Sequence, residues 1–581
     1  MYCYRRGRGI VVLGKNRISK EDGAAARGAD GISRRTFVKT SLAGAAALSL
    51  GGLLSACSSG AGGSDSAGSS ASGAAGSSSA DSAQVIVTMP TGAEPAAGFD
   101  PFVSWGCGEH VHEPLIQSTL ITTTADMGFE NDLATEYSCS EDGLTWTFKI
   151  RTDVRFTDGE PLTAEDVAFT INGIAAAPEA EADLSMVEEA VVLDAETVEI
   201  RLSRPFNILL YTLANVGICP AHAHGADYGS NPIGSGRYVL AQWDRGQQVI
   251  FEANPDYYGP EPNIKRLVVL FMDEDASLAA AQAGTADVAY TSATFAENLA
   301  AGYTLFDCKT VDSRGISLPT IPAGSTWENG GTIYEAGNDV TCDVSLRRAM
   351  NRALDRTLAI EHTLGGYGTP AFSVSDGMPW ASDAMRVDAD VAAAETLLAE
   401  GGWVRGADGI LEKDGVRAEF DLLYMTPDTV RQALCADFAE QMAPLGIKVN
   451  VQGMSWDDLE PQSYRQAILW GWGSNSPVEM YELNHSAGWG NYACRANEAT
   501  DRYLDEAVAQ PNVEDSYGFY QQAQWDGQTG VTPDADAPWV WIANVDHLYF
   551  AREGLVIAEQ KPHPHGHGWS IVNNVDRWSW S

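Results

Sequence analysis

The chain has no HExxH, no GxSxG, no Walker-type phosphate loop and no complete GxGxxG ahead of a strand–helix unit. The usual signatures of zinc peptidases, serine hydrolases and nucleotide-dependent enzymes are therefore missing. No two cysteines stand in CxxC spacing, which removes the common redox and thiolate-zinc motifs. Basic residues are scarce: 37 Lys and Arg face 78 Asp and Glu. A surface of that sign repels nucleic acid and anionic lipid, and suits cationic or neutral ligands. A comfortable membrane span is also missing. The longest weakly apolar stretch, 41–56, falls short of the roughly 20 residues that a bilayer needs.

That stretch has a different meaning in its context. Residues 1–40 are basic and polar, and they contain Ser33-Arg34-Arg35-Thr36-Phe37-Val38-Lys39. The apolar run follows and ends Leu53-Leu54-Ser55-Ala56-Cys57. A positive region, a short apolar region and small residues before a cleavage point make an export signal. The Arg34-Arg35 pair resembles the twin-arginine class, and the Leu-Ser-Ala-Cys ending resembles a lipoprotein cleavage box with Cys57 as the lipidated residue. Residues 58–83 are almost entirely Ser, Gly and Ala. They cannot bury a core, and they are expected to tether a body to a membrane surface.

The first 56 residues hold 10 basic and 3 acidic side chains, so the exported part carries 27 against 75, a formal charge of −48. Its length requires more than one lobe. Sixteen Trp and 20 Tyr supply flat surfaces with polar edges, suited to a closed cleft. Seven cysteines follow Cys57, and an odd number leaves at least one unpaired. Cys308 and Cys342 are the candidate pair, closing a loop across 320–331.

Local patterns give an α/β body. Residues 144–150 alternate with period two and read as a half-buried strand. Thr163 and Asp166 are placed to cap a helix running through Ile171. Residues 190–202 hold two strand-like runs, 264–271 a strongly apolar strand, and 275–283 a helix. After the Pro- and Gly-rich segment 318–331, helical spacing over 346–359, 389–400 and 429–442 alternates with strands at 418–424 and 447–451. The aromatic strand patterns at 539–558 are placed to complete the first lobe.

Several ordered segments carry a family resemblance. Asp153 to Val167 (DVRFTDGEPLTAEDV) resembles the signature of the family 5 extracellular solute-binding proteins, which serve ABC importers of oligopeptides, dipeptides and nickel complexes. Asn231 to Tyr238, Asn254 to Tyr258 with Ala279 to Val288, and Leu346 to Arg356 are similar to its later hallmarks, in order, across 95–510. Physically, these segments are mainly a strand, a turn, helix caps and packing faces. The resemblance implies a type II periplasmic-binding-protein-like clamshell, bilobal, with an extra subdomain in the first lobe. The domains expected are a signal over 1–56, a lipidated Cys and tether over 57–83, and lobe 1 over 84–321 with an insertion at roughly 106–229. Lobe 2 is expected over 322–518, with a return to lobe 1 over 519–581.

The resemblance places the second-lobe ligand loop at Ile468 to Pro477. Trp470 and Trp472 offer ring faces there, and Gly473, Ser474 and Asn475 offer backbone and polar groups. Peptide-binding relatives usually carry an Asp in this loop. This chain has Ser474 and Asn475, and the nearest acid is Glu479. The first-lobe counterpart runs from Phe99-Asp100-Pro101 through Trp105 to His110 and His112. Ring nitrogens suit transition metals, so His110, His112, His563, His565 and His567 are the candidate metal ligands. The pair His222 and His224 flanks Ala223.

The function expected is capture of a small ligand outside the cytoplasmic membrane, an oligopeptide or dipeptide, for delivery to ABC importer permease subunits. A nickel or other transition-metal chelate is the alternative. No enzyme activity, no required cofactor and no nucleic-acid partner are expected. Export by the twin-arginine machinery, a lipid anchor on the outer face of the membrane and a monomeric body complete the reading.

Overall fold

A computed structural model describes residues 83–103, 106–107, 110–178, 180–566 and 568–581, without the side chains of 106, 107, 110 and 111. Arg34, Arg35, Cys57, Trp105 and His567 lie outside these residues. No helix among the described residues is long and apolar enough to cross a membrane.

The first lobe is built on a seven-stranded sheet. Its strands lie in the order Tyr238–Asp244, Gln248–Ala253, Arg266–Phe271, Gln84–Met89, Val288–Thr291, His547–Arg552, Tyr303–Cys308. Gln84–Met89 sits near the centre and pairs in parallel with Arg266–Phe271 and with Val288–Thr291. Burial on both faces explains why 264–271 reads as a continuous apolar run, not an alternating one. Helix Glu274–Gln282 makes the crossover between two of these strands.

The insertion carries a four-stranded antiparallel sheet in the order Ala134–Cys139, Thr145–Ile150, Thr197–Leu202, Val187–Asp194. Trp146, Phe148 and Ile150 point inward at every second position, as the alternation predicts. Helix Ala164–Ala176 packs on this sheet. Thr163 N donates to the Asp166 carboxylate at 2.9 Å, so the expected cap is formed.

The second lobe has a six-stranded sheet: Gly368–Pro370, Trp539–Val545, Ser313–Ser317, Ala467–Trp472, Glu419–Met425, Lys448–Met454. Helix Thr429–Met442 joins the parallel pair Glu419–Met425 and Lys448–Met454. The helical spacing at 346–359 resolves into two helices, Val344–Ala353 and Arg356–Leu364. Asp355 caps the second by accepting from Leu358 N, and that cap interrupts the first.

The change of sheet falls away from the expected lobe borders at 321/322 and 518/519. Ser313–Ser317 already belongs to the second sheet, and Trp539–Val545 still does. Two adjacent crossovers therefore join the lobes, 309–312 and residue 546. Cys308 pairs with His547 on one side of them and Ser313 with Asn544 on the other. The expected Cys308–Cys342 disulfide is corrected: both are free thiols. Cys308 ends a first-sheet strand, whereas Cys342 precedes a helix of the other lobe.

Candidate ligand site between the lobes

The crossovers are lined by a third segment. His563 bridges Thr310 in parallel, with Val311 N donating to His563 O at 2.9 Å and His563 N to Lys309 O at 3.2 Å. Two residues on, His565 N donates to Gly473 O at 2.7 Å. The extended stretch that carries the C-terminal histidines thus ties the first crossover to the end of the second-lobe strand Ala467–Trp472.

Asp312 is the centre of this junction. Its carboxylate accepts from Arg314, at 3.1 Å for the Nη2–Oδ2 contact, and is bonded to His547 Nε2 at 3.2 Å and to His565 Nδ1. Burial alone would raise this carboxyl, but Arg314, His565 and the histidine hydrogen bonds outweigh it and hold it well below the usual range. Burial lowers His565, opposed by Asp312, and pushes His563 well below the ordinary imidazole value. His547 and His563 face each other through Nδ1 atoms 3.3 Å apart, so one donates and the other accepts. His112 is buried, and it lies near enough to His563 for its charge to oppose protonation there.

The glycines of the Trp-Gly-Trp-Gly run have a packing role. A Cβ on Gly473 would meet Val311 O at 1.8 Å, and the residue sits at φ +140°. A Cβ on Gly471 would meet the His565 ring at 2.6 Å and Arg431 at 2.8 Å. Backbone and imidazole can approach this closely only because both positions lack a side chain. Of the two tryptophans, Trp470 belongs to the core: it stacks on Tyr492 at 4.3 Å and 8°, and its N–H donates to Ser317 at 2.9 Å. Trp472 is less buried and packs beside Trp489 at 5.7 Å.

Glu479 opens the helix after this loop. Its carboxylate accepts from Gly473 N at 3.2 Å and from Ser474, and among the described residues it forms no ion pair. Burial pushes this carboxyl up to about 7, and the nearby Asp312 charge adds to the effect.

A cavity of about 580 Å³ lies against the junction, a size suited to a small ligand. Its walls come from the first lobe, from 559–564 and from Asn475 of the second lobe. Charges of both signs reach it: Lys561 is paired with Glu113 at 2.5 Å, and Arg237 with Asp576 at 2.6 Å. Asn475, alone of the expected loop residues, lines this cavity. Trp470, Trp472, Gly473, Ser474 and Glu479 are not among its lining residues. The backbone of His110 is in a short strand paired with Cys107.

Asp312, Arg314, His547 and Arg431 were not singled out in the sequence. A signal exists for the first two: an acid and a base at i and i+2 point to one face where the chain is extended. The only grouping of Asp, Cys and His atoms close enough to share a metal ion, among the described residues, is Asp100, Cys219 and His224. Among the described residues, His563 and His565 belong to no such group.

A family model described as bacterial extracellular solute-binding proteins, family 5, matches residues 128–493. Protein XP55 of Streptomyces lividans is 31% identical over 433 residues, covering 71% of this chain and 75% of the relative. The oligopeptide-binding protein AppA of Bacillus subtilis is 27% identical over 425 residues, 68% of this chain and 75% of the relative. Among solved structures, NikZ from Campylobacter jejuni in complex with Ni(L-His) superposes with a TM-score of 0.69 at 23% identity. That match covers 86% of this chain and 99% of the other.

Proposed function

Because the chain belongs to family 5 of the bacterial extracellular solute-binding proteins, we propose that its ligand is an oligopeptide or dipeptide held between the two lobes. As a member, it is an extracytoplasmic transport protein, not an enzyme, that binds a small ligand, peptide or metal chelate, for an ABC importer. The observation that carries the peptide reading is Glu479. A carboxyl pushed up by burial, held by Gly473 and Ser474 and lacking a cationic partner among the described residues, is suited to a ligand ammonium. Asn475, four residues earlier, reaches the cavity, where Arg237 and Lys561 stand paired with Asp576 and Glu113. The name of AppA agrees with this choice. Trp472, Gly473, Ser474 and Asn475 are the second-lobe residues assigned to the site; Trp470 supports them from the core.

A metal chelate is favoured by one observation. His563, whose ring burial holds well below the ordinary imidazole value, lines the cavity with His547 3.3 Å away, and NikZ, of similar fold, is solved with Ni(L-His). Native mass spectrometry of the purified chain, with metals measured on the same sample, separates the two. Peptides at one equivalent are expected. Nickel or a nickel chelate at one equivalent in a Cys219→Ser background, with no peptide bound at pH 7.5, would overturn the peptide reading.

The envelope position follows from Cys57. Lipidation there, after twin-arginine export of a folded monomer, anchors the body through the 58–83 tether. Each buried methylene contributes roughly 0.8 kcal/mol, so two or more acyl chains hold firmly where one does not. Cys57→Ala is expected to move the protein from the membrane fraction to the soluble fraction. A variant that sediments with membranes as the parent does would exclude the anchor.

A further inference from the structure

We propose that Asp100, Cys219 and His224 form a site for a divalent transition-metal ion of the zinc type, which clips the inserted subdomain to the first lobe at its base. It is separate from the ligand cavity and independent of which ligand is carried.

The geometry comes from two passages of the chain. Asp100 lies where the chain leaves the first lobe toward the four-stranded sheet. Cys219 and His224 lie where it returns. One carboxylate oxygen, the thiol sulfur and one imidazole nitrogen all fall within 4.8 Å of one another. His224 Nε2 is 3.0 and 3.2 Å from the two Asp100 oxygens. Ligand atoms around one tetrahedral ion at about 2.0–2.3 Å lie roughly 3.3–3.8 Å apart; the His224–Asp100 pair is already near this, and a bound ion would draw the thiol in.

The group is held in place. The His224 ring lies 4.1 Å from Phe102 and 4.8 Å from Tyr228, centroid to centroid. Asp100 Oδ1 accepts from Phe102 N at 3.0 Å. Cys219 is fully buried, with its N accepted by Thr170 Oγ1 at 3.0 Å. Gln117 Nε2 donates to Phe99 O and to Tyr228 OH, and its Oε1 is a buried acceptor with no hydrogen-bond partner among the described residues. His224 and Asp100 keep a small exposure, 14% and 11% of their side chains, which gives an ion a way in.

The chemistry fits a borderline-soft ion. One thiolate, one imidazole and one carboxylate is a mixed S/N/O set, with a fourth position left for water. A divalent cation with one thiolate and one carboxylate is electrically neutral, so the loaded group can stay buried where an isolated charge could not. Binding forms the metal–sulfur bond, breaks the S–H bond and releases one proton to solvent. The His224 proton stays on Nδ1, leaving the Nε2 lone pair for the metal.

Cobalt(II) reports on this site directly. The full chain, purified in detergent and stripped with a chelator, is titrated with Co²⁺ and then with Zn²⁺, beside Cys219→Ser and His224→Gln. One equivalent of Co²⁺ is expected to give a thiolate-to-metal charge-transfer band in the near ultraviolet, bleached by Zn²⁺. The band is lost in C219S, and H224Q needs at least about 10-fold more metal. Zn²⁺ is expected to raise the parent Tm by several degrees and to leave C219S unmoved. Absence of the band in the parent, or the same band in a C219S variant with native circular dichroism, would overturn the site. The histidine-rich C-terminal segment produces no thiolate band, so metal taken up there counts against the proposal.

Discussion

Asp312→Ala is expected to lower the unfolding free energy by about 3–5 kcal/mol, the usual result of removing one partner of a buried ion pair. Arg314 is nearly inaccessible and would lose its counter-charge. It would then face Arg431, whose own guanidinium is lowered by burial first and by Arg314 next. His547 and His565 each lose a hydrogen bond in the same step. Asp312→Asn keeps shape and some hydrogen bonding, and should fall between the parent and the Ala variant. Replacing the pair together, D312A with R314M, should recover part of the loss, because no charge is then left unpaired. The carboxyl is depressed in the folded state, so its contribution is present above the unfolded carboxylate pKa of about 3.9 and lost as pH falls through the lower folded value. Denaturant melts at pH 7 check the first result. A D312A loss under 1 kcal/mol would mean that the junction is not held by this charge.

Glu479→Gln is expected to act in the opposite direction on the empty protein. The folded carboxyl, pushed up to about 7, holds its proton between the unfolded pKa of about 4.3 and that value, while the unfolded chain has lost it. Stability therefore falls as pH rises across this window and levels off above it. At pH 8 without ligand, E479Q should be more stable than the parent, by up to about 3 kcal/mol before solvent screening reduces the figure. Below about pH 4, where both folded and unfolded states hold the proton, the two should agree. The ligand reverses the order. An ammonium that pairs with the ionised carboxylate restores what burial removed, so E479Q should bind a peptide with a free amine about 30-fold or more weaker at pH 8. Equal melting curves at both pH values, together with unchanged peptide affinity, would remove Glu479 from the site. Stabilisation at pH 8 with unchanged affinity would leave it a strained buried acid unrelated to the ligand.

These two residues show how differently the site and the fold were written in the sequence. Glu479 was noticed because the loop lacks the acid its relatives carry, yet its hydrogen bonds to Gly473 and Ser474 and its nearness to Asp312 appear only in the fold. Asp312 drew no notice, because nothing local to Asp312 and Arg314 shows that the pair is buried. The Trp-Gly-Trp-Gly run was read as a ligand wall. Its glycines instead admit Val311 O and His565, and Trp470 fills the core.

Where local physics decides, the sequence was sufficient. Helix 429–442 was read with the bounds it has, because a capping Asp428 and a 3.6-residue rhythm act within one element. The strands at 145–150 and 266–271 followed from alternation and from a continuous apolar run. Ordered family segments gave the bilobal α/β plan. Tertiary structure alone decided the rest. Ser313–Ser317 and Trp539–Val545 join the second sheet by pairing with strands far away in sequence, and no local period encodes a partner. The fate of Cys308 and Cys342, the meeting of Asp312 with three separate segments, and the approach of Asp100 to Cys219 and His224 depend on that same long-range pairing. It fixes which side chains lose water together, and this sets their charges and what they can bind.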